Sequence, residues 1–181
     1  MQLEFKNSKK ISFSNLLIII SAIFTLFSFI YPNILVLGMN NYFLNNGNYT
    51  AFLVQIFTYS FLHGSIFHLL SNSIFLYIFG NPIEEIIGKR KFIIFFVLAT
   101  IFNAGALTIF SSGNTIGISG FAMAILTYYT LILKSKNNPE YKGGLVAIIL
   151  NILIGFDASI SFIGHRAGAI FGYIFYNFTK K

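Results

Sequence analysis

The sequence predicts an all-α membrane protein that crosses the bilayer several times, and two observations carry this prediction. The first is composition: hydrophobic residues make up 56% of the 181-residue chain and charged residues only 9%, with a mean hydropathy of +0.76. A soluble domain carries about 25% charged residues, so this chain has too few to cover its surface in water. At about 20 residues for each membrane span plus loops, the length allows roughly six helices.

The second observation is the placement of the 12 lysines and arginines. All but Arg166 fall in four clusters separated by gaps without basic residues: Lys6, Lys9 and Lys10; Lys89, Arg90 and Lys91; Lys134, Lys136 and Lys142; Lys180 and Lys181. Because lysine and arginine concentrate in cytoplasmic loops, this pattern predicts six spans with both termini in the cytoplasm. The basic residues are therefore topology signals and not a nucleic-acid surface, and any contact with anionic lipid is secondary.

The apolar runs between the clusters define six predicted helices in a single domain, 1–181. After a short cytoplasmic tail, 1–10, the first helix takes the long apolar run 11–37, with an alternative end near Pro32. The stretch 38–62 is polar and then amphipathic, which is typical of an outer loop with short helices that is partly embedded in the membrane. The second helix ends before Pro82, since proline interrupts helices. The predicted helices cover about 11–37, 64–80, 91–110, 117–134, 143–155 and 162–179.

Two polar residues stand inside predicted spans, Ser119 in the fourth helix and His165 in the sixth. Such residues are costly in a membrane and indicate function by default. Ser119 precedes Lys134 by 15 positions, and His165 precedes Lys180 by 15 positions. At about 1.5 Å rise per residue, each side chain lies about 22 Å above a cytoplasmic lysine. The two helices run parallel in this topology, so both residues fall at one depth in the outer part of the membrane.

Hydrolysis by a serine requires a base and hydrogen-bond donors for the developing oxyanion. His165 is the candidate base, because it is the only histidine in the second half of the chain. The N–H of Ser119 at a helix N-terminus, close to Gly117, is one candidate oxyanion donor. His68 and Asn72 are four positions apart on one face of the second helix and are further candidates.

Each of these features also has a purely structural interpretation. Glycine and serine let membrane helices pack closely, and a buried histidine can bond a neighbouring carbonyl. The spacing Gly164-x3-Gly168-x3-Gly172 is typical of a helix-packing face, although such packing would also bring the histidine to the serine. Asn72 can join two helices as a polar contact, and His63 lies at the membrane interface, where polar side chains are ordinary.

Several chemistries are excluded or not expected. The chain has no cysteine, which excludes disulfides, thiol catalysis and thiolate metal sites. Its histidines have no carboxylate at ligand spacing, so we expect no metal and no cofactor. Asp157 belongs to the outer loop before the last helix, where a solvated carboxylate needs no catalytic role, so we expect a Ser-His dyad. Glu84 and Glu85 lie near the cytoplasmic end of the second helix, far from this site.

Several motifs follow one another over about residues 55–175: Phe61-Leu62-His63-Gly64 with His68-x3-Asn72; Gly80-x3-Glu84-x3-Gly88-x3-Phe92; Gly117-Ile118-Ser119-Gly120; and Gly164-His165-x2-Gly168-x3-Gly172. Together they resemble the rhomboid family of intramembrane serine proteases. Two positions depart from the family pattern: Val54-Gln55 stand where many members have Trp-Arg, and Ala124 stands where glycine is common.

The resemblance implies a six-transmembrane-helix rhomboid-like bundle with an embedded first outer loop. It implies a nucleophile, Ser119, and a general base, His165. The implied oxyanion hole consists of His68, Asn72 and the Ser119 amide. The implied supporting network consists of His63 and Gly117. Substrates would be transmembrane proteins cut near the outer end of their membrane helix. The expected surroundings are membrane lipids of a bacterial plasma membrane, with no nucleic-acid partner.

Two alternatives stay open at this stage. A catalytically silent relative would bind transmembrane helices in the same cleft without cutting them. A small transporter or channel would show acidic residues or broken helices near the midplane and internal symmetry, and the sequence shows neither.

Overall fold

A computed structural model describes residues 11–154 and 161–180. All regular elements in this part of the chain are helical, so the all-α prediction is confirmed there. The α-helices are α1 (Phe13–Ile30), α2 (Tyr42–Asn45), α3 (Tyr49–Thr58), α4 (Ile66–Phe75), α5 (Asn81–Ile87), α6 (Lys89–Phe110), α7 (Ser119–Ser135), α8 (Tyr141–Ile154) and α9 (Phe162–Thr179). The predicted tail 1–10, Asp157 and the predicted last residue of the fifth helix lie outside the described residues.

Within the described residues, three helical segments are long and apolar enough to cross a membrane: α1, the continuous segment Ile66–Ile87, and α6. The apolar helix α8 is shorter. Eleven of the 17 residues of α7 are buried, so this helix is surrounded by its neighbours and its sequence need not suit lipid. Six spans and an embedded outer loop stay predictions.

Two predicted helix ends differ from the structure, and both involve proline. The first helix ends at Ile30, close to the alternative end near Pro32 and well before 37, and Pro32–Leu37 form a 3-10 helix, because Pro32 has no N–H to continue the α-helix. The second helix does not end before Pro82 but continues to Ile87. A π-helical turn, Leu76–Gly80, precedes it and places Pro82 in the first turn of α5, where a missing N–H costs nothing.

The centre of the bundle is the contact between α7 and α9. Gly168 and Gly172 of α9 face the backbone of Gly120 and Ala124 of α7 so closely that a Cβ on either glycine would collide with a carbonyl oxygen. Beside this contact the Phe95 ring of α6 stacks on Phe175 at 4.3 Å between centroids. The N-terminal turns of α7 and α9 are therefore held at a fixed separation.

The bundle has two distinct ends. The basic end carries Lys89, Arg90, Lys91 and Lys134, and the cavity end is the opposite one, where α4, α7 and α9 begin. At the basic end the buried Glu84 accepts hydrogen bonds from the N–H groups of Phe13 and Ser14, both at 2.8 Å. A carboxylate that pairs the free N–H groups of a helix N-terminus stabilises that helix, so Glu84 fixes α1 to α5.

At the cavity end, the segment between α1 and α4 is joined to the chain that leads into α7. The buried Gln55 amide donates to the carbonyls of Val36 and Gly38, at 2.9 and 2.6 Å. Met39 and Thr115 exchange two backbone hydrogen bonds, at 2.8 and 2.9 Å. These bonds tie the start of α7 to α3 and to the 3-10 turn after α1.

Candidate active site

Ser119 is the first residue of α7, and the loop before it requires glycine. Gly117 has φ +118°, a left-handed conformation that side chains rarely adopt. A Cβ there would also lie 2.9 Å from Cε1 of His68. The Gly117 N–H donates to the carbonyl of Tyr59 at 2.8 Å. The loop thus delivers Ser119 at a helix N-terminus, where the first N–H groups have no intrahelical acceptor.

His165 lies in the first turn of α9, which Ser161 caps by accepting from the Gly164 N–H at 3.1 Å. The imidazole is buried, and its Nδ1 lies 2.8 Å from the carbonyl oxygen of Asn151 in α8. A carbonyl oxygen only accepts hydrogen bonds, so the proton of this pair belongs to Nδ1. The other ring nitrogen, Nε2, is then the basic one. Arg166, the next residue, is exposed and lies over the Phe162 ring at 5.0 Å.

A cavity of about 160 Å³ brings the candidate residues together. It is lined by His68, Ser71, Asn72, Phe75, Ser119, Ala122, Met123, Asn151 and His165. The predicted nucleophile, the predicted base and both predicted side-chain oxyanion donors are among these residues. Since a water molecule occupies about 30 Å³ of liquid, a cavity of this size holds several.

Asn72 faces this cavity from α4. The residue is buried, and its Nδ2 has no hydrogen-bond partner in the described part of the chain. A buried donor without a partner costs about 1–3 kcal/mol, so such groups need an explanation. A donor beside a serine at a helix N-terminus has the chemistry of an oxyanion hole.

His63 lies behind His68 and does not line the cavity. The two imidazole rings meet edge to face at 5.0 Å between centroids. His63 is fully buried, and its Nδ1 lies 3.1 Å from Oγ1 of Thr25 in α1. Burial, with a smaller contribution from the neighbouring His68, lowers the pKa of His63 to about 3. The neutral ring therefore connects α1 to the wall of the cavity without adding a charge.

The cavity also has lining residues that were not predicted from the sequence, among them Asn151 and Met123. Asn151 carried a signal, because it is the only polar side chain in the apolar run 144–154. Such a residue inside an apolar span is a functional hypothesis by the same argument that selected His165. Met123 carried none, since a methionine in an apolar helix is ordinary.

Comparisons with known proteins agree on one family. The family model described as Rhomboid domain matches residues 50–180. The chain is 26% identical over 124 residues to Rhomboid protease GlpG of Yersinia pseudotuberculosis serotype I (strain IP32953), covering 64% of this chain and 44% of that protein. The proteins of the same name from Yersinia pestis (strain Pestoides F) and Serratia proteamaculans (strain 568) are 27% identical with the same coverage. The match thus spans less than half the length of these relatives.

Proposed function

Because this chain belongs to the rhomboid family, we propose that it is an intramembrane serine endopeptidase acting through Ser119 and His165. The observation that carries the proposal is one cavity lined by a serine at a helix N-terminus, a buried histidine and three polar residues of α4. The protein is a multi-pass membrane protein. Its substrates are proposed to be transmembrane proteins.

The first chemical step is acylation of the serine. Nε2 of His165 takes the proton of the Ser119 hydroxyl while Oγ bonds to the scissile carbonyl carbon and the C=O electron pair moves to oxygen. The C–N bond then breaks, and the imidazolium returns the proton to the leaving amine. An acyl-serine and a new amino terminus result.

The oxyanion formed in this step is stabilised by donors of residues that line the cavity. The candidate donors are the N–H of Ser119, Nδ2 of Asn72 and the His68 ring. Loss of one such donor typically lowers kcat by about 10²–10³-fold. In deacylation a water molecule loses a proton to His165 and its oxygen bonds to the acyl carbon; the C–Oγ bond then breaks, and the imidazolium returns the proton to Oγ of Ser119.

The site of cutting follows from the proposed topology. Basic clusters at one end of the bundle support both termini in the cytoplasm and the cavity in the outer part of the membrane. Water reaches that depth from the outer surface, so cleavage is expected near the outer end of the substrate helix. The plasma membrane of a bacterium is the proposed location.

Labelling with a fluorophosphonate tests for an activated serine. We expect the purified full chain to be labelled, Ser119→Ala to be unlabelled, and His165→Ala to be labelled at least about 100-fold more slowly, because general-base assistance contributes about 10²–10⁴-fold.

Ser71→Ala is the matched control, since Ser71 lies in the same cavity but its Oγ donates to the His68 carbonyl at 3.0 Å. Its labelling should resemble that of the wild type. A folded wild type that stays unlabelled but binds a transmembrane peptide would contradict the protease and favour the catalytically silent relative.

A further inference from the structure

We propose that the backbone carbonyl of Asn151, in α8, is the positioning group that sets the tautomer and orientation of His165. This inference rests on the proposed function, because it assigns the third partner of the proposed dyad. It makes α8 part of the catalytic arrangement, although α8 carries neither nucleophile nor base.

The hydrogen bond between His165 and Asn151 is well formed. Nδ1 of His165 lies 2.8 Å from the Asn151 oxygen, a normal length for N–H···O. In serine hydrolases the base must present a free nitrogen to the serine, and the hydrogen bond at its other nitrogen decides which one is free. Here the carbonyl requires the proton on Nδ1 and leaves Nε2 for Ser119.

The carbonyl belongs to α8, which packs against both α7 and α9. It accepts from the imidazole, and a charge-assisted hydrogen bond of this kind favours the imidazolium that forms when the serine loses its proton.

No carboxylate in the described part of the chain competes with this carbonyl for Nδ1 of His165. The carboxylates described are Glu84, Glu85 and Glu140, and all three lie at the basic end. The Asn151 side chain is also occupied, because its Nδ2 donates to the carbonyl of Ala147 at 2.8 Å, one turn back in the same helix. The carbonyl is therefore the group that meets His165, and Asp157, outside the described residues, is left to the experiment.

The consequence is a coupling between the position of α8 and the state of the base. α8 lies at the edge of the bundle, and Val146, Ile149 and Leu153 are each more than half exposed. A displacement of α8 would remove the acceptor from Nδ1, whereas α7 and α9 would stay joined through their glycine contact. The base would then lose its tautomer preference while the nucleophile stayed in place.

Nitrogen NMR of the full chain, labelled with 15N-histidine in micelles, tests this directly. The chain has only three histidines, and variants that lack His63 or His68 assign the signals. We expect His165 at neutral pH to carry its proton on Nδ1. Replacing Ile152 by its α-hydroxy acid turns the 151–152 amide into an ester and weakens the Asn151 carbonyl as an acceptor. This change should shift His165 towards the Nε2–H tautomer and slow fluorophosphonate labelling about tenfold.

Three further variants isolate the carbonyl. The α-hydroxy acid at Leu150 removes one helical N–H in the same way but weakens the Ile149 carbonyl, and it should leave the tautomer unchanged. Asn151→Ala and Asp157→Asn should also leave the tautomer unchanged. An Nε2–H tautomer in the wild type, or a tautomer change in Asn151→Ala or Asp157→Asn, overturns the proposal. If the Nδ1–H tautomer responds to the Ile152 ester but neither the wild type nor any of these variants is labelled, the proposed protease fails while the positioning role stands.

Discussion

Buried polar side chains are treated differently at the two ends of the bundle. At the basic end they are paired: Glu84 holds the N-terminus of α1, and the half-buried Ser12 hydroxyl donates to the side-chain Oδ1 of Asn81 at 2.6 Å. Ser14 donates to the Leu76 carbonyl at 2.9 Å, in the π-helical turn. Each of these bonds joins segments more than 60 residues apart in the sequence.

At the cavity end several buried polar atoms have no partner in the described part of the chain. They include Nδ2 of Asn72, Nε2 of His63 and Oδ1 of Asn103. Buried polar groups without a hydrogen-bond partner destabilise a fold, whereas those with a partner leave its stability unchanged or raise it. Paired polar groups therefore stabilise the fold at the basic end, whereas the cavity end contains unpaired buried polar groups, and one of them belongs to Asn72, which lines the cavity. Changes at the two ends should therefore separate stability from activity.

The largest separation is expected for Asn72→Ala. It should lower the rate of cleavage of a transmembrane substrate by about 10²–10³-fold, as the loss of an oxyanion donor does. The free energy of unfolding should stay equal or rise, because the variant removes an unpaired buried amide. Cleavage per folded molecule and thermal unfolding in micelles measure the two effects. A parallel loss of stability would make Asn72 a structural contact.

Gly168→Ala tests the contact between α7 and α9, on which both the stability of the bundle and the geometry of the cavity depend. Its Cβ would collide with the Gly120 carbonyl, so we expect a loss of about 1–3 kcal/mol in the free energy of unfolding together with a clear loss of activity. Gly105→Ala is the control, because a Cβ at Gly105 meets nothing within 4 Å. The control should gain about 0.5–1 kcal/mol from helix propensity. Equal behaviour of both variants would contradict the close α7–α9 contact.

Glu84→Gln should do the reverse of Asn72→Ala. One carboxylate oxygen would become an NH2 group facing an N–H of α1, so we expect a loss of about 2 kcal/mol in stability, within the range for hydrogen bonds to charged groups. Activity per folded molecule should not change. The exposed neighbour Glu85 provides the matched control, Glu85→Gln, with no effect on either quantity. Reduced activity at full stability would show that the basic end contributes to catalysis.

A smaller effect is expected from pH. The pKa of His63 is about 3 in the folded protein and 6.5 in its unperturbed state. The unfolded chain therefore binds one proton more between these values, so stability due to His63 is complete above pH 6.5 and is lost as the pH falls below it. The slope is at most about 1.4 kcal/mol per pH unit.

His63→Gln removes this titration and keeps a polar group near Thr25. The free energy of unfolding of the wild type should fall more steeply than that of the variant between pH 6.5 and pH 5. Chemical denaturation at several pH values measures both slopes. Identical slopes would mean that His63 is not buried as a neutral ring.

How much the sequence predicts depends on whether a feature is local. The helical rise is fixed, so equal spacing from a basic residue predicts that Ser119 and His165 lie close together, and both line one cavity in the structure. The glycine spacing of the last helix likewise predicts a packing face, and Gly168 and Gly172 lie against the α7 backbone.

Features that depend on distant contacts could not be predicted. The helix continues past Pro82 because a π-helical turn precedes it, and a carbonyl of that turn, Leu76, accepts from Ser14 of α1. Similarly, the bond from His165 to Asn151 requires one rotation of α8 about its axis. That rotation is set where Gly144 packs against the Thr130 side chain of α7.

The most direct test of the central claim is cleavage of a single-span reporter protein in proteoliposomes that contain wild type or Ser119→Ala, with product masses read by mass spectrometry. We expect one cut near the outer end of the reporter helix by the wild type and none by the variant. Cleavage by Ser119→Ala at the wild-type rate, or no cleavage by a folded wild type that binds the reporter, would contradict it.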